Sequence, residues 1–134
     1  MFAIDHLGVA VKSLEQAKTI YERLGLHVSP EEVVAGEQVR VVMVPVGESR
    51  IELLEATSEN STIAKFIAKH GEGLHHVSLR VPNLPRVVER LKKDGVRLVS
   101  EEIKKGAGGH RYVFVHPASA GGVLLELVEQ EAHP

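Results

Sequence analysis

The 134-residue sequence predicts an α+β fold in which two tandem β-α-β-β-β modules form a curved mixed sheet around a cleft. Three observations lead there. The opening run I-D-H-L-G-V-A-V (4–11) reappears as L-H-H-V-S-L-R-V (74–81), a shift of 70 residues that lays His6 on His76. The same shift lays Ser13-Leu14 on Asn83-Leu84, two helix caps followed by an apolar residue, and Gly25-Leu26 on Gly95-Val96, two helix stops. Near the end of each half, I-E-L-L-E (51–55) matches L-E-L-V-E (125–129), and Glu52 falls on Glu126 at a shift of 74.

In each module a first strand is read over the repeated run. A helix over 14–24 follows, with Leu14, Ala17, Tyr21 and Leu24 on one stripe behind a Ser13 to Gln16 capping box. Its counterpart over 84–94 carries Leu84, Val87, Val88 and Leu91. Strands are expected at 26–34, 38–46 and 50–56, then at 96–103, 110–116 and 122–129, with turns at Gly47 and Gly121-Gly122. Residues 58–71 place Ile63, Phe66, Ile67 and His70 at helical spacing and close on Gly71, which reads as a connecting helix. The organisation is one domain over 1–134: module 1 to about residue 57, the linker helix over 58–71, and module 2 over 72–130.

Composition excludes several functions. At 43% hydrophobic and 25% charged, with a net charge of −2 and mixed signs, the chain lacks the basic field that nucleic acid or anionic lipid requires. It has no cysteine, so disulfides, thiolate zinc sites and a cysteine nucleophile are out, and His nitrogens and carboxylate oxygens are the strong metal ligands left. The first residues carry Asp5 and His6 where a signal peptide would be apolar, so a cytoplasmic location is expected.

Strand parity gives the candidate site. His6 opposes Leu7 and Val9, His76 opposes Val77 and Leu79, Glu52 opposes Ile51 and Leu53, and Glu126 opposes Leu125 and Leu127. If the apolar rows pack on the helices, two His and two Glu project from the other face. This is an N2O2 set for a divalent metal with two of six octahedral positions open. Any one of the four, alone, reads more readily as a solvated strand residue. Their recurrence at equivalent positions with matching parity has no such explanation.

With His6, Glu52, G-E-G-L-H-H-V (71–77) and G-A-G-G-H-R-Y-V-F-V-H-P-A-S-A-G-G-V-L-L-E-L (106–127) in view, the sequence resembles the vicinal oxygen chelate superfamily, which groups glyoxalases, bleomycin resistance proteins and dioxygenases. Within it the chain looks like the methylmalonyl-CoA epimerases. The resemblance spans nearly the whole chain. It implies paired βαβββ modules, often as a homodimer, and an acyl-CoA substrate. It carries the metal ligands onto His6, Glu52, His76 and Glu126, with Co2+ the first choice and Zn2+, Ni2+, Mn2+ or Fe2+ as alternatives. It also implies proton removal and return at C2 of (2R)- and (2S)-methylmalonyl-CoA through a metal-stabilised enolate, with Glu126 as the base.

The sequence departs from that pattern at two places. Where some epimerases carry a second glutamate base early in the third strand, the nearest residue here is Arg40, leaving Glu37, Glu52 or a water to replace it. Where many relatives have lysine after H-P, this chain has Ala118, so Lys104, Lys105 or Arg111 would meet the CoA phosphates. His75 falls on the helix side by parity and reads as a packed histidine, His27, His70 and His133 as surface residues, and His110 and His116 are open. The run Gly106 to Gly109 lacks the helix and lysine of a phosphate loop and takes no catalytic role. The rival readings are a glyoxalase I-type lactoylglutathione lyase, then an extradiol dioxygenase, and a non-catalytic small-molecule-binding relative.

Overall fold

The computed structural model describes residues 1–106 and 109–130; His133 and part of the Gly106 to Gly109 run lie outside the described residues. Two compact units are present, residues 6–75 and residues 1–5 with the described residues from 76 to 130, so each holds one module apart from the first three residues of its opening strand. Both contain the predicted order of elements.

In the first, β1 (Ala3–Ala10), α1 (Leu14–Arg23), β2 (Glu32–Val34), β3 (Val39–Val46) and β4 (Ser49–Ala56) are followed by α2 (Thr62–His70). The strand order is β2-β3-β4-β1, with β1 parallel to β4 and the other pairs antiparallel. In the second, β5 (Gly73–Val81), α3 (Leu84–Lys93), β6 (Lys104–Lys105), β7 (Arg111–Val115) and β8 (Leu125–Glu129) give the order β5-β8-β7-β6, again with the first and last strands parallel. A parallel pair requires a crossover, and the helix after each first strand supplies it.

Local chemistry sets the helix ends. Ser13 Oγ accepts from the amide of Gln16 at 3.2 Å, Ser61 Oγ from Ala64 at 3.0 Å and the Asn83 side chain from Arg86 at 3.2 Å. Gly25 and Gly95 then take φ of 89° and 77°, left-handed backbone that favours glycine and turns the chain out of α1 and α3. Leu24, expected on the buried stripe of α1, is instead its C-cap and is exposed.

Two expected strands are much shorter than their apolar patterns suggested. Over 26–34 only Glu32–Val34 forms a strand; Ser29 donates its amide to the Met43 carbonyl at 2.9 Å, its Oγ rather than a backbone carbonyl accepts from the Met43 amide at 2.8 Å, and Pro30 has no amide to donate. Over 96–103 there is one bridge, Leu98 to Val115, and the ladder resumes only at Lys104–Lys105. Here Arg97 donates its amide to Ser119 Oγ at 2.9 Å, and Val99 points outward.

Helix α1 packs Leu14, Ala17 and Tyr21 on Val9, Val42, Ile51 and Leu53. Helix α3 packs Leu84, Val87, Val88 and Leu91 on Val81, Val113, Val115 and Leu127. Helix α2 is more than a connector. Its Ile63, Phe66 and Ile67 lie on Ala10, Val39, Val41 and Leu54, the parity shared by His6 and Glu52. In the first module, therefore, the histidine face is not bare: α2 covers one end of it. Leu84 has no exposed surface. Leu84→Ala is expected to cost about 2–5 kcal/mol, seen as a lower denaturant midpoint at unchanged slope.

Candidate functional site

The strand register places the site residues in equivalent settings. In the first module Glu52 of β4 lies between Gly8 of β1 and Met43 of β3. In the second, Glu126 of β8 lies between Ser78 of β5 and Phe114 of β7. Each histidine stands two residues before the strand partner of its glutamate, on the same face. This is the diagonal neighbour across two strands, near enough for long side chains to meet.

They do meet within each module. His6 Nδ1 is 3.4 Å from Glu52 Oε2. His76 and Glu126 each offer a ligand atom, a ring nitrogen and a carboxylate oxygen, within 4.8 Å of one another. Both histidines are buried, at 6% and 8% exposure, so neither is a solvated face residue. The ring of His76 meets Phe114 edge-on, with centroids 5.8 Å apart. A separation of 3.4 Å suits two donors that each sit about 2.1 Å from a shared ion, and neutral imidazole with carboxylate is a donor set for a borderline divalent cation. The donor types fit such a metal, though Glu52 is not among the residues whose ligand atoms gather within 4.8 Å of one another.

Two features were not foreseen. Arg50, opposite His6 in the register, donates from Nε to Glu52 Oε2 at 2.9 Å and brings Nη2 within 2.9 Å of the same oxygen. The signal was available: a cation two positions before Glu52 in a strand shares its face. Ser78, fully buried beside Glu126, has an Oγ with no hydrogen-bond partner among the described residues. Its placement follows from the register of β5 and β8, which the sequence does not state.

Arg40 pairs with Glu55 at 2.9 Å, and Glu55 also accepts from the amide of Leu14 at the start of α1 at 3.3 Å. A guanidinium is a permanent cation, so Arg40 cannot replace a carboxylate base. Arg111 is gripped through Nε and Nη2 by the carboxylate of Glu129; this pairing raises Arg111 above its usual value and holds Glu129 below the usual carboxylate range. Arg111 is thus engaged within its own sheet, whereas Lys104 and Lys105 are exposed. His116 is a structural cap, accepting at Nδ1 from the amide of Ala118 at 3.0 Å. His110, His27 and His70 are exposed. His75 meets Phe66 edge-on with centroids 4.9 Å apart, and burial lowers its pKa, as expected of a packed histidine. No helix among the described residues is long and apolar enough to cross a membrane.

A family profile for the glyoxalase/bleomycin resistance protein/dioxygenase superfamily matches residues 5–114. The human mitochondrial methylmalonyl-CoA epimerase is 40% identical over 126 residues, covering 92% of this chain and 72% of that protein. This chain belongs to the methylmalonyl-CoA epimerase branch of that superfamily. Solved epimerases share its glyoxalase-like α+β fold. The epimerase of Mycobacterium tuberculosis superposes with a TM-score of 0.86 at 38% identity, over 96% of this chain and 88% of that one. A methylmalonyl-CoA epimerase in complex with methylmalonyl-CoA and NH4+ also gives 0.86, at 34% identity over 96% and 94%. The epimerase resemblance seen in the motifs therefore extends over nearly the whole chain.

Proposed function

We propose that this chain interconverts (2R)- and (2S)-methylmalonyl-CoA with a divalent metal held by His6, Glu52, His76 and Glu126. The observation that carries the reading is the duplicated His-Glu pair. Each module sets one buried imidazole diagonally beside one carboxylate, in a chain that is 40% identical to an epimerase.

The metal, Co2+ by first choice with Zn2+, Ni2+, Mn2+ or Fe2+ as alternatives, would supply a Lewis acid for the negative charge that develops on the substrate oxygens. The rest of the work falls to the protein. The hydrogen on C2 lies between a thioester and a carboxylate, and it is acidic enough for a carboxylate to remove once the resulting enolate is stabilised. Glu126 takes that proton at a carboxylate oxygen. Its strand neighbour Phe114 meets the His76 ring edge-on, which fixes the orientation of that imidazole beside it. Delivery of a proton to the opposite face by a second carrier, for which Glu37, Glu52 or a water are the candidates, inverts C2 and leaves the abstracted proton on Glu126. Lys104 and Lys105, exposed on β6, are the cations assigned to the CoA phosphates, with Arg111 set aside because Glu129 holds it.

The acting species is taken as a cytoplasmic homodimer, to be checked by light scattering and cell fractionation. For the chemistry, bound metal is quantified and the protein is incubated in D2O with each epimer and added Co2+. Metal-dependent deuteration at C2 with inversion supports the reading. Turnover of the methylglyoxal-glutathione hemithioacetal alone would make the protein a glyoxalase, and neither metal nor turnover would leave a binding module.

A further inference from the structure

The grip of Arg50 on Glu52 has a chemical consequence for the metal centre proposed above. Glu52 Oε2 receives the Nε hydrogen bond of Arg50 and is paired with Nη2, both at 2.9 Å, and the same oxygen stands 3.4 Å from His6 Nδ1. It is therefore the oxygen best placed to share an ion with His6, and it already has a permanent cation on it. The Glu52 side chain is 13% exposed and that of Arg50 33%, so solvent screens this charge only in part.

We infer that Arg50 is a positioning residue that fixes the Glu52 carboxylate through Oε2 and weakens its hold on a divalent cation, so that the centre binds metal less tightly than it would without the guanidinium. Two effects compete when Arg50 is removed. Loss of the fork frees one carboxylate rotor, which weakens metal binding slightly. Loss of the positive charge removes a repulsion between a unit cation and a divalent one across a single carboxylate, and at a partly buried site this is the larger effect. Arg50→Met is accordingly expected to bind Co2+ about tenfold more tightly, after a discount for screening. Arg50→Lys keeps the charge without the two-point fork and is expected to stay within about threefold of the native affinity.

The inference rests on the metal reading, and the experiment separates the two. Co2+ is titrated into the full chain, Arg50→Met and Arg50→Lys, with affinity and release rate taken from chelator competition and the coordination sphere followed through the visible Co2+ bands. Tighter binding, slower release and shifted bands in Arg50→Met, with Arg50→Lys near native, support the inference. A native chain that binds no Co2+ overturns the metal site and the inference with it. A native chain that binds while Arg50→Met is unchanged or weaker overturns the role of Arg50 alone. Should Arg50→Met melt too early to titrate, Arg50→Gln carries the same comparison.

Discussion

Glu126→Gln is expected to lower the rate of C2 deuteration by about a thousandfold while leaving the fold and most of the metal binding in place. The substitution is nearly isosteric. Gln keeps a carbonyl oxygen that can still face a divalent ion, and it fits between Ser78 and Phe114 without opening a cavity. What it loses is basicity, since an amide oxygen does not accept a proton near neutral pH. The measurement is therefore a comparison of two losses. If Glu126 serves as base, kcat falls far more than metal affinity, and saturating Co2+ does not restore it. If Glu126 serves only as a ligand, activity tracks occupancy and returns as metal is raised, and the base must be sought elsewhere. Glu37, exposed on the turn that leads into β3, and Glu52 would be the next residues to change.

The four candidate residues could be grouped from the sequence, because strand parity and duplication are both properties of the one-dimensional chain. His6 with Glu52 and His76 with Glu126 were grouped by counting alone. The helices α1 and α3 were legible from their caps and glycine stops. What could not be read depends on which distant segments pair. The covering of the histidine face by α2 follows from contacts of Ile63, Phe66 and Ile67 with Ala10 and Leu54, and nothing in the spacing of residues 58–71 states which face they seek. The strands over 26–34 and 96–103 were overextended for a related reason. Their apolar residues fit a strand period, but Pro30 and the side-chain bonds made by Ser29 and Ser119 divert backbone groups from the ladder. The pairing of Arg50 with Glu52 was half legible: a shared face was implied, and the register that sets Arg50 opposite His6 was not.

The duplication itself can be tested by removing one histidine from each module. His6→Ala and His76→Ala are each expected to lower Co2+ affinity by more than the 10 to 100-fold that loss of an outer partner typically costs, and to lose turnover at ordinary metal concentrations. Titration calorimetry with the far-UV spectrum as a fold control is the measurement. Stability should change little, because each ring lies beside, not within, the apolar clusters: Ala10 and Leu54 pack on α2 past His6, and Val81 and Leu127 pack on α3 from the face opposite His76. The two losses need not be equal. His6 has a carboxylate neighbour already held by Arg50, whereas His76 has a ligand atom of Glu126 within 4.8 Å and meets Phe114 edge-on. If Arg50 weakens the Glu52 side as inferred above, His76→Ala should be the more damaging change. Equal losses would mean that the arginine does not distinguish the halves. A loss confined to one histidine would mean that only one module supplies the metal, and the duplicated pair would have to be read as structural on the other side.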